Sequence, residues 1–121
     1  MKKLIKSIFE NFMVGDNPVP VSFLFYDGDS QDYVTYMQTD IDNSMSCDDE
    51  LVGYVEYYDF DVYTHKNGLF GGDYTDIVES IKKLLKENGF VWQPSRSSAD
   101  MYETDTGYYH KTLNFAILKE E

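Results

Sequence analysis

The sequence predicts an α+β fold, an antiparallel or mixed β-sheet with two amphipathic helices packed on one face, in the order α-β-β-β-α-β-β-β. Three observations carry this prediction. Apolar residues recur at helical spacing in two separate segments, Leu4 to Phe12 and Tyr74 to Leu85. Period-2 alternation runs from Leu51 to His65 and again from Tyr108 to Leu118. Turn signals, not crossovers, separate most of the strands.

Leu4, Ile5, Ile8, Phe9 and Phe12 form the first stripe, with Lys2, Lys3, Lys6 and Glu10 off it, which predicts a helix over residues 2–13. Gly15-Asp16-Asn17-Pro18 stops it. Val21 to Tyr26 reads as an apolar strand, Asp27-Gly28-Asp29 as a turn, and Tyr33 to Met37 as the hairpin partner. Residues 39–50 are polar and acidic and predict a mobile loop. In the long strand that follows, Tyr54, Tyr58, Phe60, Val62 and Thr64 share one face, and Asp59, Asp61, Tyr63 and His65 the other. Glu56 falls on the apolar face, which predicts a bulge near Tyr57.

Lys66-Asn67-Gly68 is a turn, and Gly71-Gly72-Asp73 leads into a second helix with Asp73 as its expected N-cap. Its stripe is Tyr74, Ile77, Ile81, Leu84 and Leu85; Lys82, Lys83 and Lys86 suit the C-terminal dipole, and Asn88-Gly89 signals the C-cap. Phe90 to Trp92 begins a short strand, 94–98 is a loop, Met101 to Glu103 a strand, Asp105-Thr106-Gly107 a turn, and Tyr108 to Leu118 the last strand.

A length of 121 residues suits a single domain, 1–121, because chains below roughly 200 residues seldom split into two cores. Eleven Tyr, eight Phe and one Trp argue against disorder. No apolar run approaches the roughly 20 residues that span a bilayer. Met1 to Lys6 starts like a signal peptide, but Lys6 and Glu10 interrupt its apolar stretch, so the segment reads as part of the domain. The single Cys47 permits no internal disulfide and no cysteine zinc site, which points to a reducing cytoplasm.

Ten bases against 22 acids give a net charge of −12, the wrong sign for a protein that displaces counterions from nucleic acid. Residues 14–65 hold no Lys or Arg and twelve acids: Asp16, Asp27, Asp29, Asp32, Asp40, Asp42, Asp48, Asp49, Glu50, Glu56, Asp59 and Asp61. Such a stretch serves solubility and protects sheet edges, or forms an acidic face that repels or imitates DNA.

No catalytic, cofactor-binding or metal constellation emerges. Asp27, Asp29 and Asp32 invite a calcium reading, but an EF-hand loop counted from Asp27 needs Gly and Glu where Asp32 and Gln38 stand. His65 and His110 are the only neutral bases; no nucleophile sits in a strand-to-helix elbow beside them, so both read as strand residues facing solvent or a subunit contact. Gly71-Gly72 could cradle an anion, yet Asp73 would repel it. Cys47 lies among acids that disfavour its thiolate. The surplus of tyrosine suits protein–protein contacts.

The run Val55 to Thr64 with its Asp61-Val62-Tyr63, the helix ending Asn88-Gly89-Phe90, and the stretch Met101 to Phe115 with Asp105-Thr106-Gly107-Tyr108-Tyr109-His110-Lys111-Thr112 form one further pattern. It resembles the small minor tail, or tail-completion, proteins of tailed phages and prophages of Gram-positive bacteria. The resemblance implies a structural, non-enzymatic subunit of the virion tail, made in the host cytoplasm. By that likeness it would form a homo-oligomeric ring of about six copies at the head-proximal end, touching the tail tube protein and the head–tail connector, with no direct nucleic-acid or membrane contact. The acidic stretch would then line a lumen through which DNA slides. Two other readings compete: an acidic DNA mimic that inhibits a host nuclease, of anti-restriction or anti-CRISPR type, and a small cytoplasmic enzyme.

Overall fold

The structure is a computed structural model that describes residues 2–42, 46–47, 50–51 and 53–120. In chain order its elements are α1 (Lys2–Ile8), β1 (Met13–Val14), β2 (Asn17–Pro18), β3 (Val21–Phe23), β4 (Tyr33–Asp42), β5 (Ser46–Cys47), β6 (Glu50–Leu51), β7 (Gly53–His65), α2 (Thr75–Glu87), β8 (Val91–Trp92), β9 (Met101–Glu103) and β10 (Tyr108–Glu120), with a 3-10 turn at Pro94–Arg96. The class is the mixed α+β one that the periodicities predict.

The main sheet runs β3-β4-β7-β10-β8, and β9 also pairs with β10. β7 lies at its centre, antiparallel to both β4 and β10. Its alternation decides the layers. Tyr58, Phe60, Val62 and Thr64 are buried on one side, together with Val34 and Tyr36 of β4 and Leu113, Phe115 and Ile117 of β10. Against that face pack Ile5 and Phe9 near the N-terminus and Ile77, Val78, Ile81 and Leu85 of α2.

Both helices are shaped by their ends. α1 closes at Ile8, earlier than the stripe predicts, because Asn11 takes a left-handed conformation (φ 57°) and the chain turns into the β1–β2 hairpin. Phe9 and Phe12 stay buried in the turn beyond the helix. At the far end of α2 the amide of Gly89 (φ 88°) donates to the Lys86 carbonyl, and that of Phe90 to the Leu85 carbonyl. This paired arrangement is a Schellman cap, and it drives Phe90 into the core beside Leu85. At the front of α2 the N-cap position falls to Tyr74, one residue beyond the expected Asp73. The Asp73 carboxylate instead accepts the amide and hydroxyl of Thr75 at 3.0 and 2.6 Å.

Three further expectations are corrected. β3 and β4 pair in parallel, Val21 against Val34 and Phe23 against Tyr36, and do not form a hairpin. The cause is local. Leu24 has φ 68°, and the Phe25 amide donates to the Phe23 carbonyl at 2.8 Å, a γ-turn that sends the chain away from β4. The segment then returns so that Tyr33 starts beside the N-terminal end of β3. The bulge lies opposite Tyr57 and Tyr58 but is carried by β4: the register shifts between Gln38 and Asp40, while β7 keeps an unbroken register with β10. Glu56 stays on the core side, where it accepts the Tyr58 hydroxyl at 3.4 Å. Of the loop expected over 39–50, residues 39–42 extend β4, and β5 pairs with β6; residues 43–45 and 48–49, with Asp48 and Asp49, lie outside the described residues.

Asp32, weighed from sequence as a calcium ligand, ties the two halves of the sheet end together. It is 2% exposed. Its Oδ1 accepts the His65 amide at 3.3 Å and its Oδ2 the Leu69 amide at 2.9 Å. A side chain at Gly68 would begin 2.5 Å from that carboxylate, so the turn needs glycine. Asp32→Asn keeps the shape but points an amide at a backbone N–H. Urea unfolding should show a loss of about 2 kcal/mol, and an unchanged midpoint would contradict the role given to Asp32.

Candidate functional site

No described helix covers the second face of the sheet, so its side chains pack on one another. Outward positions of β4, β7 and β10 fall in cross-strand rows: Thr35-Asp61-Thr112, Met37-Asp59-Asn114 and Asp40-Tyr57-Ala116. Above them a four-ring stack runs across the strands. Tyr26 lies on Tyr33 at 4.8 Å, Tyr33 on Tyr63 at 4.9 Å, and Tyr63 on His110 at 4.3 Å, all near-parallel. Tyr108 meets Tyr33, Tyr63 and His65 edge-on.

The carboxylates on this face are engaged. Asp61 Oδ1 accepts the Thr112 hydroxyl at 2.5 Å and faces His110 Nε2 at 3.4 Å. Asp59 Oδ1 accepts the amide nitrogen of Asn114 at 2.7 Å. Arg96, the only arginine of the chain, lies 3.7 Å above the Tyr57 ring and 3.5 Å from Asp40 Oδ2. Burial raises the Asp59 carboxyl above the ordinary carboxylate range and the neighbouring Asp61 adds to this, against the opposing effects of Asn114 and Arg96. Burial, with Asp61 next in effect, pushes the Tyr63 phenol up to about 12.

Asp61, His110 and Thr112 form an acid–base–hydroxyl cluster, but its geometry holds the hydroxyl without activating it. In a nucleophilic triad the base takes the hydroxyl proton on one ring nitrogen while the acid orients the other. Here the hydroxyl donates to the carboxylate, and the single nitrogen Nε2 faces both Asp61 and, at 3.5 Å, Thr112.

The residues singled out from sequence separate in space. Asp27 and Asp29 are exposed in the β3–β4 connection, whereas Asp32 is buried and bonded to backbone, so the three do not converge. His110 is half-buried in the ring stack instead of facing solvent, and His65 bridges the Thr106 carbonyl at 2.8 Å and the Asn67 amide at 3.0 Å. Gly72 passes under the Tyr109 ring, 2.4 Å from where a Cβ would stand, a close packing contact in place of an anion cradle. Cys47 pairs through its backbone in the β5–β6 ladder. Among the described residues no group of three His, Cys, Asp or Glu side chains is placed to hold a metal ion, and no helix is long and apolar enough to cross a membrane.

Sequence reasoning missed Arg96, Thr112 and Asn114. Their outward parity on β10 signals the last two once the β7–β10 register is known. The tyrosine surplus is mostly spent internally: Tyr36 and Tyr58 in the core, Tyr74 on Asp100, Tyr102 against Tyr109 at 4.5 Å. Exposed large apolar side chains include Leu24 and Phe25 beyond β3 and Val91 and Trp92 in β8 at the two sheet edges, and Met37, Ile41, Leu69 and Leu118 elsewhere. Comparison with known protein families and with curated proteins finds no match.

The raised Asp59 carboxyl has a signed consequence. The folded chain holds that proton more tightly than the unfolded one, so stability from this group falls as pH rises from the unfolded value through the folded one. Asp59→Asn keeps an acceptor for Asn114 and removes the charge. Its thermal midpoint should exceed that of the wild type at pH 7, with the difference closing below about pH 4. A midpoint lower than wild type at pH 7 would contradict this reading.

Proposed function

We propose that the chain is a non-enzymatic assembly subunit, a tail-completion subunit that closes into a ring at the head-proximal end of a phage tail. The observation that carries this is that exposed apolar side chains stand at both opposite edges of one sheet, Leu24 and Phe25 beyond β3 and Val91 and Trp92 in β8. A ring closed by head-to-tail contacts needs two different patches per subunit on different sides, and the edges supply them. The sequence pattern from Asp105 to Thr112, and the acidic charge that would keep DNA from sticking in a lumen, support the same reading. In it the partners are further copies of the chain, the tail tube protein and the head–tail connector, and the site of action is the virion.

The DNA-mimic reading draws less support. It needs acids spaced across a free surface, yet Asp32 and Glu56 are buried, and Asp59 and Asp61 are half-buried and hydrogen-bonded. Among the described side chains of that stretch, Asp16, Asp27, Asp29 and Asp40 are exposed.

Labelled protein added to tail tubes assembled from tube protein should bind tube ends only and stop their extension, as seen by electron microscopy. Replacing Asp40 and Asp42 by Lys should leave end-binding in place and impair DNA passage through the finished tail. Absence of end-binding, together with competition against duplex DNA for a nuclease, would replace this reading with the mimic.

A further inference from the structure

Leu24 and Phe25 are 56% and 69% exposed, an unusual cost for neighbouring large apolar side chains at a strained position. The segment behind them is bonded within itself. The Tyr26 ring stacks on Tyr33, its hydroxyl accepts the Ser30 amide at 2.9 Å, and it leaves no room for a side chain at Gly28. Ser30 in turn donates its hydroxyl to the Asp32 carbonyl at 2.7 Å, and Asp32 is tied to the end of β7. The γ-turn thus presents an apolar knob, flanked by exposed Asp27 and Asp29, on a segment held by its own hydrogen bonds.

At the other edge of the sheet lies a cavity of about 360 Å³ between α2 and β8, lined by Lys82, Lys86, Phe90, Val91, Trp92 and Phe115. Its floor is apolar, and Lys82 Nζ sits 3.8 Å over the Trp92 ring and 3.8 Å from the exposed Glu79 Oε1. The knob is apolar with acids beside it; the groove is apolar with bases beside it. In a chain with no base between residues 14 and 65, that complementarity can be met only by a different part of the molecule. The sheet order puts β3 and β8 at opposite edges, so one copy cannot fill its own groove.

Resting on the reading as an assembly subunit, we infer that the knob Leu24-Phe25 of one copy inserts into the α2–β8 groove of the next, with Asp27 and Asp29 against Lys82 and Lys86. The contact is heterologous, so each added copy leaves one knob and one groove open until a ring closes. A knob seated instead in the groove framed by Lys3, Lys6, Phe12 and Val21, on its own edge of the sheet, would give a two-fold pair that stops at two copies.

Trp92 is the only tryptophan and lines the groove, so it reports occupancy directly. The full chain is followed by sedimentation equilibrium and Trp92 emission from about 1 µM to 1 mM. The average mass should rise past that of a dimer while emission shifts to the blue over the same range. Phe25→Ser and Val91→Asp should each move the midpoint at least about tenfold higher, with unchanged thermal unfolding because both residues are exposed. Lys86→Glu serves as the groove variant if Val91→Asp unfolds. Mixing the knob variant with the groove variant should restore association that stops at a one-to-one pair, each chain supplying the face the other lacks. Association of Phe25→Ser at wild-type strength, no restoration on mixing, or a wild-type chain that stays monomeric would overturn the contact. Loss of tube-end binding with this contact intact would instead overturn the functional reading on which it rests.

Discussion

β7 is bonded along both edges, to β4 and to β10, and the rest of the molecule is arranged by its alternation. Every even position from Tyr58 to Thr64 faces the helices, and every odd position from Tyr57 to His65 faces away. A slip of one residue would put Asp59 and Asp61 under α2 and leave Phe60 and Val62 in water. At roughly 1.5–3 kcal/mol for each large apolar side chain withdrawn from water, such a slip would exceed the whole stability of a small domain once buried charge is added. Asp32 closes the end of this frame by bonding the backbone where β7 gives way to the following turn.

The helix-free face shows what happens to polar groups forced close together by that register. Hydroxyl and amide groups from β10 satisfy the carboxylates, four rings stack in a row, and the only arginine bridges Tyr57 and Asp40. The loop after β8 is used in the same way. Hydroxyls of Ser97 and Ser98 accept the backbone amides of Asn114 and Thr112, so this side of β10 has partners where no long strand pairs with it. Polar groups engaged in this way offer a partner less, whereas Leu24, Phe25, Val91 and Trp92 at the sheet edges remain exposed.

Most of the architecture was legible because it rests on local periodicity and end signals. The α2 stripe, the Asn88-Gly89 cap, the Asp105-Thr106-Gly107 turn and the two faces of β7 all appear where the sequence predicts them. The departures share a different origin. The parallel pairing of β3 depends on a positive φ at Leu24, a residue that gives no sign of it, so Asp27-Gly28-Asp29 read as a hairpin turn. The burial of Asp32 depends on amides more than thirty positions away. The partners of Asp59 and Asp61 follow from a cross-strand register that no short-range pattern encodes. The knob and groove were equally hidden, since exposure is a property of the folded chain and Phe25 and Val91 looked like ordinary strand residues.

In the proposed contact the two edges of the sheet are complementary across a copy-to-copy boundary, and carbodiimide coupling addresses that boundary most directly. The reagent joins an amine to a carboxylate only where the two already touch, and a mixture of isotopically light and heavy chains separates links between copies from links within one. Light–heavy peptides should join Lys82 or Lys86 to Asp27 or Asp29. Links confined to single chains, or links from those aspartates to Lys3 and Lys6 instead, would contradict the account.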